Sequence, residues 1–154
     1  MSDRISEHVS FKEGIKSHTA TRLNIDNAPS DLDLVNMKII AEKVFEPLRE
    51  FVGGPIAINS FYRSPKLNSA IGGSTSSQHC KGCAFDIDDK YGYKTNAEMF
   101  KYIQCNLDYD QMIWEFGDVN NPDWVHVSYV SEDVNRRRCL IAYKENGKTK
   151  YKVI

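Results

Sequence analysis

No stretch of the 154 residues approaches the roughly 18 consecutive apolar positions that a membrane-spanning helix requires, so membrane insertion is not expected. Charge of one sign is also lacking. Twenty Lys and Arg stand against 21 Asp and Glu, a formal net charge of −1. That balance removes the global basic footprint that nucleic acid or an anionic membrane would call for. The one basic run, Arg136–Arg138, is too short to change this and reads as solvated charge flanking a strand. The N-terminal MSDRISEHVSFKEGIK has none of the apolar stretch of a secretory signal. The expectation is synthesis in the cytoplasm, with any target beyond the membrane reached by another route of release. Repeats, low-complexity segments and linkers are absent, and the length fits one domain with a core of its own.

Cysteine is sparse: Cys80, Cys83, Cys105 and Cys139. Without a secretory signal, reduced thiols are the default. Structural zinc needs four ligands, usually from two C-x-x-C-like pairs, and only Cys80 and Cys83 form such a pair. A redox C-x-x-C opens a helix, whose dipole lowers the thiol pKa. Cys83 instead runs into a β-patterned segment. A cysteine-based zinc or redox protein is therefore the reading that the spacing disfavours, and Cys80 and Cys83 are read as spectators.

Ser30-Asp-Leu-Asp33 is a helix start, with acids in the first turn to match the dipole. Apolar residues recur at Val35, Ile39, Ile40, Val44, Leu48 and Phe51, and Gly53-Gly54-Pro55 closes the helix, which Pro47 kinks or ends early. Residues 55–59 read as a buried strand. Ser64-Pro65 starts a short helix to about residue 71. Ala84-Phe-Asp-Ile-Asp88 alternates, with Phe85 and Ile87 on one face and Asp86 and Asp88 on the other. Thr95-x-x-Glu98 is a capping box for a helix through about Cys105. Strands follow at 111–115, 124–129 and 138–143, the last joined through Asn146-Gly147 to 149–153. The expected fold is α+β: a single domain with helices packed on a largely antiparallel sheet, residues 30–154, and an N-terminal segment, residues 1–29, packed upon it.

His79 and Asp86 are both good Zn²⁺ ligands, and Gly82 between them permits a tight turn from loop into strand. Alone, the pair also fits a surface histidine bonded to a neighbouring carboxylate. His126, inside the strand pattern Asp123-Trp-Val-His126-Val-Ser-Tyr, is either a core histidine or a third ligand. Asp123, at the strand entrance, would then supply a separate acid/base. His8 and His18 have no partner pattern and read as surface residues.

These residues carry a resemblance. Ser77-Gln-His-x-x-Gly-x-Ala-x-Asp86, followed downstream by Asp-Trp-Val-His126, resembles the zinc D-Ala-D-Ala peptidase family. That family includes vancomycin-resistance dipeptidases, D,D-carboxypeptidases and phage endolysins that cut L-Ala-D-Glu bonds, and its fold is shared with the Hedgehog signalling domain. Ile58-Asn-Ser-Phe-Tyr-Arg63-Ser-Pro-x-Leu-Asn68 and Gly72-Gly-Ser74 resemble its arginine segment, so the likeness covers roughly residues 30 to 130.

The resemblance implies one Zn²⁺ held by His79, Asp86 and His126. It puts Asp123 in the acid/base place and Arg63 where substrate and the developing oxyanion are contacted. Glu115 is a second acid able to take or orient the base role. Ser77 and Gln78 are candidates for substrate hydrogen bonds or plain loop residues, Tyr62 for packing or cleft wall, and Trp114 and Trp124 for core. The implied activity is hydrolysis of peptidoglycan stem peptides by a monomeric zinc metallopeptidase, phage- or prophage-encoded, that reaches the cell wall through a holin or virion delivery. No nucleic-acid partner is implied. The alternative is a non-catalytic, zinc-containing binding module of the same fold.

Overall fold

Ser30 begins the longest helical stretch with a reciprocal cap. Its Oγ accepts from the Asp33 backbone N–H at 3.1 Å, and the Asp33 carboxylate accepts from the Ser30 N–H at 3.4 Å. The computed structural model describes residues 4–154. Helix α3 (Asp31–Ile40) does not end before Pro47 but widens into a π turn (Ala41–Phe45) and continues as α4 (Glu46–Val52), which Gly53 closes at φ +78°. Proline lacks an N–H and its ring crowds the carbonyl four residues back; one i→i+5 turn immediately ahead of it absorbs both defects. The wider turn also re-phases the buried face. Met37, Ile40, Ala41, Val44, Phe45, Leu48 and Val52 enter the core, whereas Val35, Ile39 and Phe51 of the expected stripe are exposed.

The N-terminal residues form four short elements that no periodicity announced: β1 (Arg4–Ser6), β2 (Val9–Ser10), α1 (Phe11–Ile15) and α2 (His18–Leu23). Ile5 and Val9 lie in the main core cluster. His8 has a partner after all, its Nδ1 standing 2.6 Å from Glu46 Oε1. Buried Asn27 is the clasp to the rest of the chain. Its amide nitrogen donates to Ile15 O at 2.8 Å and Tyr62 O at 3.0 Å, while its oxygen accepts from Ser64 N at 2.7 Å.

Six strands form one sheet in the order β3-β4-β6-β5-β7-β8. They are β3 (Ala57–Ser60), β4 (Ala84–Asp88), β5 (Gln111–Glu115), β6 (Trp124–Ser128), β7 (Arg138–Glu145) and β8 (Lys148–Val153). Every neighbouring pair is antiparallel except β5 and β7, which run parallel with β6 on the far side of β5. Asn146 and Gly147, both at positive φ, join β7 to β8 as their sequence signal requires. Between β3 and β4 lies α5 (Pro65–Ala70), capped by Ser64, and between β4 and β5 lies α6 (Asn96–Asn106), capped by Thr95 and Glu98.

Period-two alternation divides the sheet into two faces. Phe85, Ile87, Met112, Val125 and Val127 join the main core with residues of the helices, and Phe45 and Phe61 meet Phe85 edge-on at 5.9 and 5.3 Å. The opposite face carries Asp86, His126, Ile113, Glu115 and Trp124 into an open cleft. The fold is α+β, and the chemistry sits on the face the helices leave uncovered.

Candidate active site and metal centre

His79 is delivered by a 3₁₀ turn (Gln78–Lys81). Ser77 Oγ caps it by accepting from the His79 N–H at 3.3 Å, and Gly82 at φ +75° ends it. Glycine is required here twice over, since a Cβ would also meet Asp33 O at 2.4 Å. The chain then enters β4, where alternation turns Asp86 away from Phe85 and Ile87. Asp86 and His126 are direct partners across the β4–β6 pair, so their side chains leave the sheet side by side.

His126 Nδ1 lies 3.0 Å and His79 Nε2 3.3 Å from Asp86 Oδ1, and the ligand atoms of the three residues all fall within 4.8 Å of one another. The other nitrogen of His79, Nδ1, faces the Phe61 carbonyl at 2.7 Å and donates to it. That bond leaves Nε2 as a lone pair aimed at the carboxylate. His79 is 2% exposed, and its Nε2 is a buried polar atom with no hydrogen-bond partner. The 3.3 Å approach to Asp86 is close, yet it is not a hydrogen bond. An orphaned imidazole nitrogen facing a carboxylate is a donor set short of a cation, so the three residues fit a zinc ion. In the metal-free site burial would push the Asp86 carboxyl up, but the imidazoles of His79 and His126, when protonated, outweigh it and hold Asp86 well below the usual range; an ion on the three residues takes the place of those protons.

Arg63 stands behind Asp86, with Nη2 3.5 Å from Oδ2. Two further donors are committed: Nε to Ser60 Oγ at 3.1 Å and Nη1 to Asn68 Oδ1 at 3.2 Å. Asn68 is itself fixed by donating to Ser74 O at 2.7 Å. The arginine segment noted in the sequence is thus one hydrogen-bonded shelf.

The two candidate acids differ in burial and in whether they line the cleft. Glu115 is 9% exposed and lines the cleft with Asp86 and His126. Its carboxyl is pushed up to about 7 by burial and by the Asp86 charge, against the lowering pull of His126 and Arg63. Asp123 is exposed and does not line the cleft. Asp123 stands immediately before β6, outside the strand whose alternation orients Trp124 and His126. The Asp123 backbone does bear on the site: its N–H donates to Glu115 O at 2.8 Å and its carbonyl accepts from Asn96 at 3.1 Å.

Ser77 and Gln78 line the cleft, with Gln78 Nε2 donating to Asp110 Oδ2 at 2.9 Å. Tyr62 does not line it; it is 4% exposed, packed in the main core, and borders a separate cavity. Trp114 packs edge-on to Phe100 at 5.3 Å, while Trp124, expected in the core, is half-buried on the cleft beside Phe116. All four cysteines are free, burial pushes the Cys80 and Cys83 thiols up, and no cysteine joins a possible metal group among the described residues.

A sequence model of the family described as Peptidase M15 matches residues 7–128, a span that holds Arg63, His79, Asp86, Glu115 and His126. The chain belongs to the peptidase M15 family. No curated protein matches it. Zinc dependence is a property of M15 peptidases, and His79, Asp86 and His126 are the residues that fit the ion.

Part of this M15 peptidase's cleft lies beyond the matched span. The cleft holds about 840 Å³, and Arg136, Thr149 and Tyr151 form its far wall. Arg136 is no loose solvated charge: it grips Asp110 with two donors, Nε at 3.1 Å and Nη2 at 2.8 Å. These wall residues were missed because β8 alternation pairs Thr149 with Tyr151 without saying which face of the sheet meets the site.

Proposed function

We propose that this M15 peptidase is a zinc-dependent hydrolase that cuts peptide bonds in the stem peptides of bacterial peptidoglycan, with the cell wall as its place of action. The observation that carries the catalytic part is the orphaned Nε2 of buried His79, set against Asp86 and His126 beside an acid and an arginine. The wall substrate rests on the resemblance of the Ser77–Asp86, Asp123–His126 and Ile58–Ser74 segments to enzymes of that chemistry.

His79, Asp86 and His126 would hold the ion. When bound, zinc supplies Lewis acidity, lowering the pKa of a water toward about 7 and polarising a carbonyl. Glu115 is the acid we assign as general base, in preference to Asp123, because it alone of the two faces the cleft. Its carboxylate would take a proton from water and return it to the leaving amine. Arg63, held by Ser60 and Asn68, puts fixed positive charge where the tetrahedral oxyanion develops; losing such a donor costs about 100- to 1,000-fold in rate. Ser77, which caps the His79 turn and lines the cleft, is the residue we assign to bond a peptide backbone.

The test is digestion of purified sacculi with and without chelator, followed by mass analysis of released fragments. Chelator-sensitive cleavage of a stem-peptide bond is expected. Zinc binding without cleavage across several wall chemotypes would instead favour a non-catalytic binding module.

A further inference from the structure

A second cavity, of about 430 Å³, shares Arg63 with the cleft as a lining residue. Its chemistry is one-sided. Lys16, His18, Arg63 and Lys90 line it, and among the described residues no carboxylate does. Lys16 and Lys90 are exposed, and neither makes an ion pair with a described residue. In a chain of net charge −1, two unpaired lysines in a concave site form a local positive field that the overall composition hides, while Arg63 is paired with Asp86.

The floor of this cavity is Ile58, Asn59 and Ser60 of β3, the edge strand of the sheet. One side of that strand's backbone therefore has no sheet partner, and an extended peptide can lie along it. The direction is fixed by register: Ser60 pairs with Asp86, so a chain following β3 past Ser60 arrives at the metal ligands. Arg63 lines both the cavity and the cleft that holds the His79–Asp86–His126 cluster.

We infer that this cavity is a recognition subsite for a carboxylate-bearing segment of the peptide substrate, read by Lys16 and Lys90, on one side of the bond to be cut. The inference rests on the peptidase reading and adds substrate charge to it. Lys16 precedes α2 and Lys90 follows β4, so two separate parts of the chain close on the same anionic group. The selectivity this confers is for acidic over amidated peptides of the same sequence.

The probe is the tripeptide L-Ala-γ-D-Glu-L-Lys, with its carboxylates free or amidated. It is titrated at low ionic strength into the full-length, zinc-loaded chain carrying Glu115→Gln so that it stays intact, with amide NMR shifts giving both affinity and location. The carboxylate form is expected to bind about 3- to 10-fold more tightly than the amide, since each screened exposed pair contributes modestly. Shifts are expected to centre on residues 16–19, 58–60 and 90. Adding Lys16→Ala with Lys90→Ala is expected to abolish the preference, whereas the charge-matched Lys148→Ala with Lys152→Ala keeps it. Equal binding of the two forms, or a preference that survives loss of both lysines, overturns the inference. If the chain with Glu115 intact never cuts such peptides yet the lysine-dependent preference is present, the subsite stands and the peptidoglycan reading falls. Cleavage that is indifferent to the carboxylates has the reverse meaning.

Discussion

Asp86 and His126 face each other directly across the β4–β6 pair, and Asp86 Oδ1 lies 3.0 Å from His126 Nδ1. A register slip of one residue in either strand would send one of them into the core, so the metal centre is specified by the same alternation that builds the sheet. His79 completes the cluster from outside the sheet, on a turn that only glycine at position 82 closes.

Removing the ligand imidazole and removing the thiols have opposite outcomes. His79→Ala is expected to purify with zinc far below one ion per chain, because two ligands remain where three converged. Cys80→Ser with Cys83→Ser is expected to keep one zinc per chain. Elemental analysis of the purified proteins decides it, and metal loss in the cysteine pair would return the C-x-x-C to the site.

Zinc is also expected to stabilise the fold. At 100 times its Kd, a ligand that binds only the native state contributes about 2.7 kcal/mol, which for a domain of this size raises Tm by roughly 5–10 °C. Calorimetry of the metal-free chain, with and without added zinc, measures the shift. The His79→Ala chain is expected to show little of it, and an unchanged Tm in the parent chain would place the ion elsewhere.

Glu115 and Asp123 separate cleanly by substitution. Glu115→Gln is expected to lower kcat about 100- to 10,000-fold, the usual range for a general base. Asp123→Asn leaves the cleft lining untouched, so its rate is expected to stay close to that of the parent. Rates from single-turnover assays on one wall fragment are sufficient. A large loss in Asp123→Asn with a small one in Glu115→Gln would reverse the assignment.

That choice marks where the sequence stops being informative. His79, Gly82 and Asp86 could be read locally, because a tight turn into an alternating strand carries its own geometry. Asp123 stands at the entrance to β6, outside the strand, where alternation carries no information on which way its carboxylate turns. Glu115 belongs to the site only through β5 pairing with β6, where Ile113 opposes His126 and Glu115 opposes Trp124. Arg136, Thr149 and Tyr151 depend on a longer inference still. They reach the cleft because β7 pairs parallel to β5 on the side away from β6, and no local pattern encodes a strand order. The π turn before Pro47 is a further case: the proline was legible as a disturbance, but whether it would break the helix or widen it was settled by the core that both halves bury.

The elevated Glu115 carboxyl makes the metal-free protein pH-sensitive. Its pKa rises from 4.5 to about 7 on folding, so between those values the native state holds more protons than the unfolded chain. Stability therefore falls as pH rises through this window, by on the order of 2–3 kcal/mol in total. Asp86, held low, acts in the opposite direction but below the ordinary carboxylate range, so the two effects occupy different windows. Urea unfolding of the chelated chain at pH 4.5 and pH 7.5 should show the decline, and Glu115→Gln should flatten it. A parent chain equally stable at both pH values would contradict the raised carboxyl.

Asn27 offers a test of how the N-terminal segment bears on catalysis. Its three hydrogen bonds join Ile15, Tyr62 and Ser64, the last two being the immediate neighbours of Arg63. Asn27→Ala leaves two carbonyls and one N–H without their partner in a closed environment, a cost of about 2–4 kcal/mol in unfolding free energy. If the clasp only held the fold together, kcat at a temperature where the variant is fully folded would match the parent. Because it also borders Arg63, kcat is expected to fall while zinc content stays at one ion per chain, since no ligand atom touches Asn27. Arg63→Ala in the same assay sets the floor. Normal turnover by folded, zinc-loaded Asn27→Ala would mean that Ser60 and Asn68 alone hold the arginine in place.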